Sequence, residues 1–176
     1  SAMLNYAIIM YQGDGVPANK KEAAENFKKA ADNGHKISML YYAVMCQFGE
    51  GIDVNKKEAE KYYKMAIENG ITRAMYNYAK MLFDGDGIQQ NKKEAALLFQ
   101  KAADKDHVGS MVNFAMMLFK GEGIPQNKKD AAFYFKKAAD NGDVVSMFYY
   151  ALMLYKGDGI KQNKKQSSEY YKRAAD

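Results

Sequence analysis

A chain of 176 residues with one cysteine, two prolines and two histidines has little of what usually builds sites and irregular loops. Cys46 alone cannot close an internal disulfide, and its setting among apolar helix residues marks it as a small core side chain, not a nucleophile or ligand. A single thiol fits a reducing compartment, so a cytoplasmic location is expected. His35 and His107 fall at the same turn position two repeat periods apart, too far to converge on a metal or a substrate. No Ser/His/acid or Cys/His arrangement can be assembled from the rest. The expectation is therefore no catalysis, no cofactor and no metal. No run approaches the roughly 18 apolar residues of a membrane span. Ser1 to Tyr11 lacks the basic start and long apolar stretch of a signal peptide.

Glycine, by contrast, is present and periodic. A Gly-acid-Gly tripeptide begins at Gly13, Gly49, Gly85, Gly121 and Gly157, each copy 36 residues after the last. A fixed period of this size is the signature of a solenoid, whose short units bury their apolar faces only by stacking. Helix formers dominate between the tripeptides, and both prolines, Pro17 and Pro125, stand four residues after the first glycine. The composition is all-α. One array is expected over 1–176, with repeats at about 1–34, 35–70, 71–106, 107–142 and 143–176.

Within the second repeat, Met39, Tyr42, Ala43 and Cys46 follow the i, i+3, i+4, i+7 spacing of one helix face, which defines helix A. Gly49 supplies a left-handed stop and Gly51 a sharp turn. The tripeptide reads as punctuation. A phosphate cradle would need a preceding strand and a defined basic or hydroxyl residue opening the next helix, and no copy has them. Helix B opens at Asn55 with Glu58 three residues on, a capping box in which the acid is expected to reach the cap amide. The pattern recurs as Asn19/Glu22, Asn91/Glu94, Asn127/Asp130 and Asn163/Gln166. Ala59, Tyr63 and Ala66 are predicted inward, and the helix stops at Asn69-Gly70, as at Asn33-Gly34 and Asn141-Gly142. In the third repeat the stop becomes Lys105-Asp106. A non-glycine residue at positive φ costs about 1 kcal/mol, so a local weak point is expected there.

Met111-Val112-Asn113-Phe114-Ala115, Gly121-Glu122-Gly123-Ile124 and Lys137-Ala138-Ala139-Asp140-Asn141-Gly142 resemble the Sel1-like repeat, a relative of the tetratricopeptide repeat. The resemblance runs over nearly the whole chain. It implies a right-handed α/α superhelical solenoid of five helix-turn-helix repeats that binds proteins or peptides and catalyses nothing itself. Alanine (Ala7, Ala43, Ala79, Ala115, Ala151) stands where the family often has glycine in helix A. The paired cysteines of the secreted bacterial members are missing, and with them the basis for an enzyme of that type.

In the related arrays helix A lines the concave face. Nine and five residues before each first glycine lie Leu4 and Ile8, Leu40 and Val44, Tyr76 and Lys80, Val112 and Met116, Phe148 and Leu152. Eight before it lie Asn5, Tyr41, Asn77, Asn113 and Tyr149, able to hydrogen-bond a peptide backbone. An apolar groove dotted with amides and phenols suits a peptide or helix. The partner-binding candidates are thus Leu40, Tyr41, Val44, Tyr76, Asn77, Lys80, Val112, Asn113, Met116, Phe148, Tyr149 and Leu152. The alternative is that these rows are core. Helix A is apolar almost all round, Ile9, Met45, Met81, Met117 and Met153 included.

Lysine pairs at 20/21, 56/57, 92/93, 128/129 and 164/165 form a second row, and the net charge is +5. The acids Asp14, Glu50, Asp86, Glu122 and Asp158 run nearby, and no aromatic residues interleave, so a solvated ridge is expected and not a nucleic-acid site. Neither end carries a polar capping repeat, from which the chain is expected to be part of a longer protein, with Ser1-Ala2 a vector remnant. Docking of the uncapped ends on one another would instead make a self-associating spacer.

Overall fold

The structure, a computed structural model, describes residues 2–175. Among these residues ten helices and no strand are found: α1 (Ala2–Gln12), α2 (Lys20–Asp32), α3 (Lys36–Phe48), α4 (Lys56–Glu68), α5 (Thr72–Asp84), α6 (Lys92–Ala103), α7 (Val108–Lys120), α8 (Lys128–Asp140), α9 (Val144–Lys156) and α10 (Lys164–Ala175). Odd-numbered helices are the first of each repeat and even-numbered ones the second. The chain divides into two compact units, Ser1–Gln90 with α1–α5 and Asn91–Asp176 with α6–α10, so the third repeat is split between them.

Each unit builds its core from the stripes that the spacing predicts. In the first unit Met39, Tyr42, Ala43 and Cys46 of α3 are buried with Ala59, Tyr63 and Ala66 of α4. In the second, Met111, Phe114 and Ala115 of α7 meet the aromatic rings of α8, with Phe114 edge-on to Tyr134 at 5.0 Å. The five helix-A alanines are fully buried, the places where a larger side chain would hold the helices apart. Burial raises the Cys46 thiol above its ordinary range, in keeping with a core role.

The helix ends follow the punctuation. Gly49, Gly85, Gly121 and Gly157 close α3, α5, α7 and α9 in the left-handed region, at φ of 70–71°. Asp106, at φ 63°, is the one non-glycine residue with positive φ among the described residues, and its carboxylate accepts an ion pair from Lys137 at 2.8 Å. Asn19, Asn55, Asn91, Asn127 and Asn163 each accept, through the side chain, the backbone N–H three residues on. The reciprocal half of the box differs from expectation. Glu22, Glu94 and Asp130 hold the asparagine carboxamide instead of the cap amide. The cap amides of Asn19, Asn55, Asn127 and Asn163 are already used, donating to Met10, Cys46, Leu118 and Leu154 in the preceding helix.

The histidines also cap helices. His35 Nδ1 accepts from the Ser38 amide at 3.3 Å at the start of α3, and His107 Nδ1 accepts from the Ser110 amide at 3.2 Å at the start of α7. Asp143 does the same for Ser146. Alone of the helix-A starts with a described cap, α5 begins at Ile71 without a side-chain cap.

Candidate functional site: a polar pocket beside α5

The Gly-acid-Gly tripeptide joins successive repeats as well as turning the chain. Its acid receives the lysine that opens the preceding helix B: Lys20–Glu50 at 3.2 Å and Lys56–Asp86 at 2.7 Å in the first unit, Lys92–Glu122 at 2.6 Å and Lys128–Asp158 at 3.0 Å in the second. The second glycine lies against the same lysine. A Cβ on Gly51 would stand 2.4 Å from the Lys20 carbonyl carbon, and one on Gly87 would stand 2.3 Å from Lys56 Cγ. The first lysine of each of these four pairs is therefore committed to an inter-repeat contact, leaving a ridge partly neutralised by its own turns.

A second inter-repeat device is aromatic. Two residues before the first glycine the chain carries Tyr11, Phe83, Phe119 and Tyr155, but Gln47 in the second repeat. In the first unit Tyr11 of α1 packs edge-on to Phe27 of α2, whose ring stacks on Tyr41 of α3 at 4.9 Å and 7°. In the second, Phe119 of α7, Phe135 of α8 and Tyr149 of α9 repeat the motif, with Phe135 and Tyr149 at 5.1 Å and 9°. Where α3, α4 and α5 meet, the same three positions hold Gln47, Tyr63 and Asn77. The rings have given way to amides around one phenol.

Tyr63, fully buried, donates to Gln47 Oε1 at 2.7 Å, and Gln47 Nε2 donates to Asp86 Oδ2 at 3.2 Å. Burial pushes the Tyr63 hydroxyl well above its ordinary range, while a hydrogen bond with Asn77 and the charge of Arg73 oppose that rise. Lys56 and Gln47 together hold the Asp86 carboxyl below its ordinary value, the lysine first. Amides fill less space than the stacked rings they replace. The result is a cleft of about 530 Å³ lined by Gln47, Phe48, Asn77, Lys80, Met81, Asp84 and Asp86. Phe48, 60 % exposed, stands at its rim.

Of the twelve candidates named from sequence, Asn77 and Lys80 line this cleft. Leu40 is a correction: only 6 % exposed, it belongs to the core, because a helix clamped between neighbours buries more than one stripe. Tyr41 and Tyr149 spend their ring faces on Phe27 and Phe135. Asn113 turns its amide back onto its own helix, donating to the Gly109 carbonyl at 2.7 Å. Val44, Tyr76, Val112, Met116 and Leu152 are half-buried, and Phe148 is exposed. Gln47, Phe48, Asp84 and Asp86 escaped sequence reasoning. The available signal was the register itself, since Gln47-Phe48 inverts the aromatic-then-polar order of the other four repeats. Among the described residues no cluster of three or more His, Cys, Asp or Glu could hold a metal ion, and no helix is long and apolar enough to cross a membrane.

Helix pairs repeated at this period and joined through their turns define an α/α helical-repeat protein. The chain belongs to the Sel1 repeat family, whose repeat matches residues 1–35, 36–71, 72–107, 109–143 and 144–176. Among solved structures it is similar to c5321, a protective antigen present in uropathogenic Escherichia coli strains and displaying an SLR fold, at 29% identity and a TM-score of 0.96. That likeness covers 99% of this chain but 37% of c5321. A Sel1 repeat protein from Oxalobacter formigenes is similar at 24% identity and a TM-score of 0.88, over 98% of this chain and 71% of that one. Helicobacter pylori cysteine rich protein B shares the fold at 18% identity and a TM-score of 0.56, over 70% of this chain and 93% of that one. Among curated proteins, none matches the sequence. Sel1 repeats generally mediate protein–protein interactions, and their solenoid is typically a non-catalytic scaffold.

Proposed function

We propose that this chain is a non-catalytic interaction module that receives a peptide or partner protein on the face presented by its helix-A elements, with α5 and the end of α3 as the contact in the first unit. The observation that carries this reading is the cleft beside α5. It is the place where the repeating aromatic packing is relaxed, a large exposed ring stands at a rim, and Asn77 and Lys80 face open space. A mixed polar and apolar cleft of this kind suits a peptide, with backbone groups meeting the amide and one side chain meeting the ring. Phe133, exposed on α8, lines a smaller cleft of about 340 Å³ with Lys129, Asp130, Lys136 and Tyr150, which makes it the comparison site on a helix B.

The test is site-specific photo-crosslinking with p-benzoylphenylalanine in place of Phe48, against the same replacement of Phe133, in extract of the source cell. Adducts with another protein from position 48 and none from position 133 support the reading. Adducts only from position 133 would move the contact to the helix-B side. A crosslink that joins two copies of this chain would favour self-association instead.

A further inference from the structure

The helix that walls the cleft differs in charge from every other helix A. Along one face of α5, at i, i+4, i+7 and i+11, stand Arg73, Asn77, Lys80 and Asp84. The same positions read Ile37, Tyr41, Val44 and Phe48 in α3, Gly109, Asn113, Met116 and Lys120 in α7, and Val145, Tyr149, Leu152 and Lys156 in α9. Two cations on this stripe occur here alone.

Their charge is uncompensated. The lysines that open α2, α4, α6 and α8 are closed onto turn acids, so they do not contribute a free field. Among the described residues no carboxylate comes within ion-pair distance of Arg73 or Lys80, and Lys80 does not close onto Asp84 one turn away. The other acids nearby are already matched. Glu50 takes Tyr11 and Lys20, and Asp86 takes Lys56 and Gln47. The charge of Arg73 favours the ionised forms of the Tyr11 and Tyr63 hydroxyls. Asn77, between the two cations, spends one polar group on Tyr63 and keeps further donor and acceptor capacity.

We infer that this stripe reads an acidic, extended peptide segment, with one carboxylate on Arg73, a second on Lys80, and the backbone between them on Asn77. The inference rests on the peptide-receptor reading above and names the chemistry of the peptide. Spacing fixes the pattern. Arg73 and Lys80 stand seven helical residues apart, about 10 Å along the axis, which a chain in the extended polyproline II conformation covers in about three residues while returning its side chains to the same face. Asp84, one turn beyond Lys80, repels a third acid. Phe48 and Met81 beside it take an aliphatic side chain. The segment is thus acid, two spacers, acid, then an apolar residue. A nucleic acid fits less well, because it presents a charge at every phosphate while this stripe offers two free cations bounded by a carboxylate.

The experiment uses the whole chain and a fluorescein-labelled, end-blocked dodecapeptide carrying two glutamates three residues apart and a leucine after the second, followed by fluorescence anisotropy. Three further probes are the same peptide with glutamines, the same peptide with adjacent glutamates, and a dodecameric oligothymidylate. The acidic peptide is expected to bind and to weaken with added salt. Lys80→Glu and Arg73→Glu are each expected to weaken it about tenfold or more, as inverting a contacting charge does, while Lys101→Glu on α6 changes it less than about twofold. Melting of all three variants should stay within about 2 °C of the parent, since none of these residues is paired. Equal binding of the glutamine peptide, or unchanged affinity in both charge-reversal variants, would overturn the inference. So would tighter binding of the oligothymidylate that is lost in those variants. If the acidic peptide fails at millimolar concentration while position 48 still crosslinks a partner, acid recognition falls and the receptor reading survives. If position 48 crosslinks nothing and no peptide binds, both fall.

Discussion

At the scale of single residues, the glycines of the two turns of a repeat do different work. Gly70, at φ 79° with open space around its missing Cβ, needs only conformational freedom. Gly51, at φ 76°, also has the Lys20 backbone within 2.4–2.6 Å of where a Cβ would sit. Gly70→Ala should therefore cost about 1 kcal/mol, from the left-handed backbone alone. Gly51→Ala should cost at least about 2 kcal/mol more, because the preceding repeat must move. Urea unfolding of the pair checks this, and equal losses would mean that the close approach carries no energy. Ser146 gives the opposite sign. Its hydroxyl is the buried side-chain polar atom without a partner among the described residues, since Asp143 satisfies the backbone amide while His35 and His107 in the matching places also reach Ser38 and Ser110 Oγ. An unmade hydrogen bond of this kind costs about 1–3 kcal/mol, so Ser146→Ala should be neutral or stabilising by thermal melting.

At the scale of the helix, caps were legible in outline and incomplete in detail. Asparagine followed three residues on by an acid, or by Gln166 in the last repeat, announces every helix B, because a local side-chain to backbone bond depends on sequence neighbours alone. The histidine caps are the exception: as ligands His35 and His107 are excluded by lying in separate repeats, while the His-x-x-Ser spacing makes each an N-cap. His35→Ala should lower stability by about 1 kcal/mol, and His35→Asp, which restores the acceptor as Asp143 does, should recover most of it. A recovery no better than alanine in chemical denaturation would assign His35 to packing instead. Leu40 failed for a different reason: one apolar stripe can be counted along a helix, but a helix with neighbours on several sides buries more than one.

At the scale of the whole molecule, the charge pattern sets the response to pH. Glu50, Asp86 and Asp32 carry carboxyls lowered from ordinary values of 4.5, 3.8 and 3.8, chiefly through hydrogen bonds from Tyr11, Lys56 and Tyr62. A carboxyl lowered in the folded state contributes stability that is complete above its unfolded value and lost as pH falls through the folded one. The protein should therefore lose stability as pH drops below about 4, and Lys56→Met should flatten that acid limb as followed by circular dichroism. At the other end, Tyr11 is pushed up to about 12, first by its hydrogen bond to Glu50. Its contribution is complete below pH 10 and disappears as pH rises towards 12. A flat profile at both ends would mean that these inter-repeat contacts add nothing, as exposed ion pairs often do.

Periodicity by itself determined the repeat, the helix pairs, their caps and stops, and the family, because each depends on residues within a turn or two of one another and recurs five times. The tertiary structure decided what the repeats do to each other: lysines closed on the next turn's acids, rings stacked across three helices, and Leu40 taken into the core. Those contacts join residues some thirty positions apart through stacking geometry that no local spacing encodes. The cleft lies between the two cases. Gln47 and Phe48 stand out of register in the sequence, but only the meeting of α3, α4 and α5 turns that irregularity into open space beside Asn77 and Lys80.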